Sequence, residues 1–167
     1  MSLFVSDIKS EMKRFPRTVK QYPRLKIKSL EEVFMVGVKS LLYKSVVEGE
    51  TDDYLTTVRF FDIEINETKT KQFTEIVKVG DKVKYFKSPG VRSNSVMLKC
   101  SCPDFRFRWE KPLFDNKGLI GNWRKYERKT PPPPIGWPYA NPDDLVGFCK
   151  HIWSLLNALR DSGRVSG

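Results

Sequence analysis

Histidine and cysteine are the scarcest chemistry-bearing residues of this 167-residue chain, with one of the first and three of the second. A single histidine leaves few candidates for acid–base chemistry near neutral pH. Three cysteines cannot all pair in disulfides. A bridge within Cys-x-Cys would also be strained, because side chains two apart on an extended chain splay from good disulfide geometry. No stretch approaches the ~20 apolar residues needed to span a bilayer, so no membrane partner is expected. The first twelve residues lack the basic start and long apolar run of a secretory signal, which predicts an intracellular, cytoplasmic product. Phosphate-cradling glycines, an acidic metal-binding cluster and a Ser/His/Asp set are all missing. The paired acids Asp52/Asp53 and Asp143/Asp144 read as turn and helix-start residues. These absences point away from an enzyme and from a small-molecule substrate.

What is present is economical. All three cysteines and the only histidine fall in two short pairs, Cys100-Ser101-Cys102 and Cys149-Lys150-His151. Three thiols and one imidazole are the ligand set of a closed structural zinc site, and metal binding in a reducing compartment suits these spacings. Val96, Leu98, Cys100 and Cys102 alternate with other residues, so on a strand both sulfurs share the face that Val96 and Leu98 bury. Positions two apart do not share a face inside a helix. Cys149 is therefore expected just before a helix and His151 in its first turn, with Gly147 letting the chain turn. One structural zinc ion would join strand to helix across 46 intervening residues (103–148). Two other readings exist. The thiols could be buried free cysteines beside a core histidine. Alternatively, Cys149 and His151 could form a nucleophile–base pair, which their divergence two residues apart disfavours.

Charge is uneven. The net charge is +10. Residues 1–30 hold eight Lys/Arg against two acids (+6), residues 31–99 hold eleven of each, and residues 100–167 hold eleven against seven (+4). Such an excess favours polyanions or acidic protein surfaces, or serves only solubility. The residues expected to contact partners or nucleic acid are Lys13, Arg14, Arg17, Lys20, Arg24, Lys26 and Lys28 in the arm, and Arg124, Lys125, Arg128 and Lys129 later. Arg106, Arg108, Trp109 and Trp123 add an interleaving of cations with aromatics that could stack on bases.

The periodicity predicts an α+β fold. Phe4, Ile8, Met12 and Phe15 mark one face of a short amphipathic N-terminal helix, capped by Ser2 or Ser6 and ended by Pro16. Residues 17–28 read as a basic extended arm. The middle reads as a β-rich meander over 33–47, 54–65 (with a bulge at the 60–61 phase slip), 73–79 and 83–85. Pro89-Gly90 has the order of a type II turn. Phe105, Phe107 and Trp109 alternate with arginines, which predicts continued extended chain. Residues 111–146 read as a long irregular Pro-rich loop with four prolines at 131–134. Phe148, Ile152, Leu155, Leu156 and Leu159 mark a C-terminal helix beside the metal. Two units follow, 1–30 as helix and arm and 31–167 as the zinc-binding domain.

Cys100-Ser101-Cys102-Pro103-Asp104-Phe105 and Cys149-Lys150-His151-Ile152-Trp153-Ser154 together resemble the SWIM zinc finger, whose pattern is Cys-x-Cys, a spacer, then Cys-x-His heading a helix. The likeness spans residues 96–160 at most, and the spacer here is longer than that family's usual one. It implies Cys100, Cys102, Cys149 and His151 as ligands and a module that binds nucleic acid or protein. The run from Cys100 to Phe107, the Pro-rich stretch and Cys149-Lys150-His151 before a helix are together similar to small zinc-binding proteins of tailed phages. The expected function is a non-enzymatic, zinc-stabilised structural or adaptor subunit of a larger assembly of protein subunits, a phage virion among the candidates. The alternative is a SWIM-like domain that binds DNA or RNA.

Overall fold

The computed structural model describes residues 2–14, 22–125 and 144–167. Its elements are helix α1 (Val5–Met12), strands β1 (Ile27–Met35), β2 (Ser40–Glu48), β3 (Asp53–Phe60), β4 (Ile65–Asn66), β5 (Glu75–Val79), β6 (Lys82–Phe86) and β7 (Val96–Cys100), and helices α2 (Glu110–Asp115) and α3 (Lys150–Asp161). The fold is α+β. Four strands form an antiparallel sheet in the order β1-β2-β3-β7, and three form a second sheet in the order β4-β6-β5.

One face of the larger sheet builds the core. Strands with one buried face alternate apolar and polar residues, and β2, β3 and β7 do so. Their register stacks Leu41, Phe60 and Val96 in one row, Tyr43, Val58 and Leu98 in the next, and Ser45, Thr56 and Cys100 in a third. Helix α3 lies across this face through Ile152, Leu155 and Leu159, all fully buried. Val5, Ile8 and Met12 of α1 join the same apolar cluster. The smaller sheet covers the other end of the face, where Phe86 meets Phe34 at 4.9 Å between ring centroids.

Several expectations need correction. Residues 33–47 do not form one strand. The chain reverses through a 3-10 turn at Val36–Val38, with Lys39 left-handed at φ 44°, and β1 and β2 pair as a hairpin. No bulge interrupts β3. The phase slip at 60–61 is where the strand ends, and Asp62 turns the chain at φ 58°. Strands β4, β5 and β6 make a separate sheet instead of continuing one meander, and β7 returns to the larger sheet. Gly90 does not adopt the positive φ of a type II turn. Its carbonyl instead accepts from the backbone of Ser93 and Asn94. Helix α1 takes no side-chain cap from Ser2 or Ser6. Phe4 occupies the cap position and its N–H donates to Asp7 Oδ2 at 3.3 Å.

The largest revision concerns residues 103–115. They are helical, with a π-helical turn over Phe105–Trp109 leading into α2. The wide π turn brings Phe105 and Trp109 to one side, where both are fully buried, and leaves Phe107 outside. Pro103 is the local cause. Proline is well placed in a first helical turn, where its missing N–H has no partner to lose. The boundary expected at 30/31 falls inside β1. The tetraproline run lies outside the described residues.

Candidate metal centre

The sheet and α3 bring together the two pairs that the sequence separates. Cys100 closes β7 on its inward face, in register beside Thr56 and, one strand further, Ser45. Cys102 follows as the chain turns into the 103–115 helix. The Phe105 N–H, freed at that helix start, donates to Cys102 Sγ at 3.3 Å. Cys149 sits in extended backbone (φ −77°, ψ 169°) immediately before α3, and His151 is the second residue of that helix. One ligand atom from each of Cys100, Cys102, Cys149 and His151 lies within 4.8 Å of the others. All four residues are at most 3% exposed, and the three thiols are free of disulfides. A tetrahedral ion with bonds of about 2.0–2.3 Å separates its ligand atoms by about 3.3–3.8 Å, so a slight contraction of this cluster completes such a cage.

The electrostatics fit a cation. Hydrogen bonds from the Cys100 and Cys149 thiols hold the Cys102 thiol far below its ordinary range. The same contact with Cys102 pushes Cys100 up, and burial pushes Cys149 up. One thiolate is thus stabilised by two neighbouring thiols, and three thiolates could share this buried space only around a positive ion. His151 supplies a second observation. Both its ring nitrogens are buried without a hydrogen-bond partner among the described residues, although buried polar atoms are rarely left so. Its ring packs on Tyr54 at 4.5 Å between centroids. The chemistry of this donor set, soft sulfur with one imidazole, is that of a metal site.

Supporting residues escaped the sequence reading. Asp104 accepts an ion pair from Arg108 at 3.0 Å, and burial raises its carboxyl. Tyr22 lies half-buried close by, its hydroxyl pushed up to about 12 by burial and then by Asp104. Gly147 has a role other than a flexible turn. A Cβ there would stand 2.3 Å from the Trp109 ring, so the ring of the π turn packs directly on the backbone that delivers Cys149. Gly147→Ala is expected to cost about 1–3 kcal/mol through overpacking. Urea unfolding checks this, and an unchanged midpoint would count against the packing account. Trp109 offered the one sequence signal, but its inward face followed from the wrong periodicity.

The expected contact residues are scattered. Arg24 pairs with Asp161 at 2.7 Å, and Lys28 pairs with Asp53 at 2.7 Å and Glu48 at 3.8 Å. The arm is further fastened to α3 where the Leu25 N–H donates to Ser154 Oγ at 3.0 Å. Arg14, in the turn just past α1, pairs with Glu11 of that helix at 3.2 Å. Lys13 and Lys26 are exposed. Arg124 is exposed, 3.8 Å from the buried Glu110, and Lys125 follows it on the surface. Arg17, Lys20, Arg128 and Lys129 lie outside the described residues. Among the described residues, no helix is long and apolar enough to cross a membrane.

Comparison of the chain with protein-family models, with curated proteins and with solved structures finds no match. The assignment therefore rests on the geometry. Four buried ligand-bearing residues converge on one point, and together they form a candidate metal centre.

Proposed function

We propose that this chain is a non-enzymatic structural or adaptor subunit whose Cys100, Cys102, Cys149 and His151 hold one structural zinc ion. The observation that carries the reading is the convergence of four buried ligand-bearing residues, with neither nitrogen of His151 making a hydrogen bond outside the cluster among the described residues. Zinc is the ion of choice because three thiolates and an imidazole match its structural sites. Four protein ligands leave no open coordination position for a substrate or an attacking water, which argues for a staple over a catalytic metal. The SWIM-like order, Cys-x-Cys at the end of a strand and Cys-x-His heading a helix, supports that role, for which the proposed setting is intracellular or within a virion. Metal analysis of the purified chain is expected to give one zinc per molecule. Chelation is expected to release it together with the near-UV signal of Trp109 and Trp153. A folded, metal-free chain purified without chelators would overturn the reading.

A nucleic-acid-binding role draws support from one surface. Phe114 is exposed beside Trp123, 6.5 Å between ring centroids, and Arg124 and Lys125 follow directly. Aromatics beside cations stack bases and neutralise phosphates. Binding of single-stranded DNA or RNA whose affinity falls steeply with salt would favour this reading over the adaptor.

A further inference from the structure

The smaller sheet turns an apolar face to solvent. Register sets Ile76 opposite Tyr85 and Lys78 opposite Val83, and directly opposite residues share a face. Ile76 is 60% exposed, the most of any large apolar side chain among the described residues, and Val83 is 45% exposed. Val77 and Phe86, on the other face, pack toward the core. Residues 65–87 carry six lysines (69, 71, 78, 82, 84, 87) against three acids. Among the described residues one ion pair forms there, Lys84 with Glu67 at 3.7 Å. Strand order leaves β5 at the sheet edge, and no described residue pairs with its outer side. The open edge of the larger sheet differs. The β1 acids Glu31 and Glu32 lie 3.9 Å from Lys44 and 3.6 Å from Arg164, and β1 has no exposed large apolar side chain.

We propose that β5 is a docking edge for an extended acidic segment of a partner protein, which adds to the small sheet as a fourth strand. Strand addition draws affinity from the backbone and specificity from alternate side chains. Neighbours of Ile76 and Lys78 on the added strand lie two positions apart on one face. The segment that fits therefore has an aliphatic residue and, two positions on, an acidic one. The lysines provide the charge complementarity. The centre of the face is aliphatic with a single tyrosine, which suits apolar peptide side chains better than stacked bases, whose binding relies on aromatic platforms. No residue of this surface is among the four metal ligands. The edge therefore goes beyond the zinc assignment, and either can fail without the other.

The test uses the full, metal-replete chain and a short synthetic peptide in which threonine alternates with isoleucine and glutamate in turn. Expected are saturable binding and slowed hydrogen exchange at the amides of Glu75–Val79. Lys78→Glu should weaken binding about tenfold, and replacing the peptide's glutamates by lysines should restore affinity to that variant. Ile76→Asp should abolish binding while β1–β3 keep their exchange protection. The proposal is overturned by an absence of saturable binding, by equal affinity of the glutamate and lysine peptides for the unaltered chain, or by protection at another edge. It is also overturned if oligothymidylate protects the same amides more tightly. A lysine that only guards the edge against aggregation would leave the affinity of Lys78→Glu unchanged, and that too rejects it.

Discussion

Cys100→Ser is expected to abolish stoichiometric metal binding and to unfold the C-terminal part of the chain while the β1–β2–β3 hairpins persist. Cys100 and Cys102 come from the end of β7 and the turn after it, and Cys149 and His151 from the start of α3. Losing one thiolate removes the link between β7 and α3. Structural zinc sites contribute on the order of 10 kcal/mol of apparent binding free energy, comparable with the whole stability of a typical domain. The segments that depend on the link are the 103–115 helical region and α3. Hydrogen exchange should show α3 amides losing their protection, with metal content falling well below one per chain. Retention of native α3 protection in a metal-free Cys100→Ser chain would sink the idea that the cage holds this region together.

Lys99→Met is expected to destabilise the chain by about 3 kcal/mol without touching the cage. Glu110 is fully buried at the start of α2, and Lys99 Nζ lies 2.8 Å from its Oε1. Among the described residues its Oε2 has no hydrogen-bond partner, and the next cation there, Arg124, is 3.8 Å from Oε1 and largely exposed. Removing one member of a buried pair leaves an uncompensated charge, which costs more than the pair itself contributes. The double variant Lys99→Met/Glu110→Met should recover most of the loss, because nothing charged is then left inside. Denaturant unfolding of the two single variants and the double variant measures the coupling. If Lys99→Met and Glu110→Met simply add, the two groups act independently and the argument fails.

The convergence of Cys100, Cys102, Cys149 and His151 was legible because it needed only identity and spacing. Cys100 and Cys102 sit two apart at the end of a strand, and Cys149 and His151 straddle a helix start whose apolar face begins at Ile152. The break between the expected strands 73–79 and 83–85 was legible for a similar reason, and Gly80 turns the chain there at φ 60°. Other features depend on tertiary context that no local pattern carries. The alternation of Phe105, Phe107 and Trp109 has the period of a strand. Yet Pro103 and the burial of Trp109 against Gly147 favour a π turn, which gives the first and last of these a common side. The reversal at residues 36–39 has Lys39 in the left-handed region, where asparagine or glycine would have signalled it. The division into two sheets was hidden because a strand's sequence does not say which neighbour it pairs with. The arm's charges read as free because their partners, Asp161 and Asp53, are distant in sequence.

The strand order β1-β2-β3-β7 has a consequence in time. The first three strands meet through short connections, whereas β7 must cross the whole 61–95 excursion before lying beside β3. Pairings between residues far apart in the chain form slowly. The last two donors wait still longer, until the helix from Lys150 arrives. Any ion capture at this site would therefore come at the end of folding, and a nascent chain would hold its hairpins well before it could retain a metal. In a cell, the supply of the ion would then decide when a newly made molecule becomes mature.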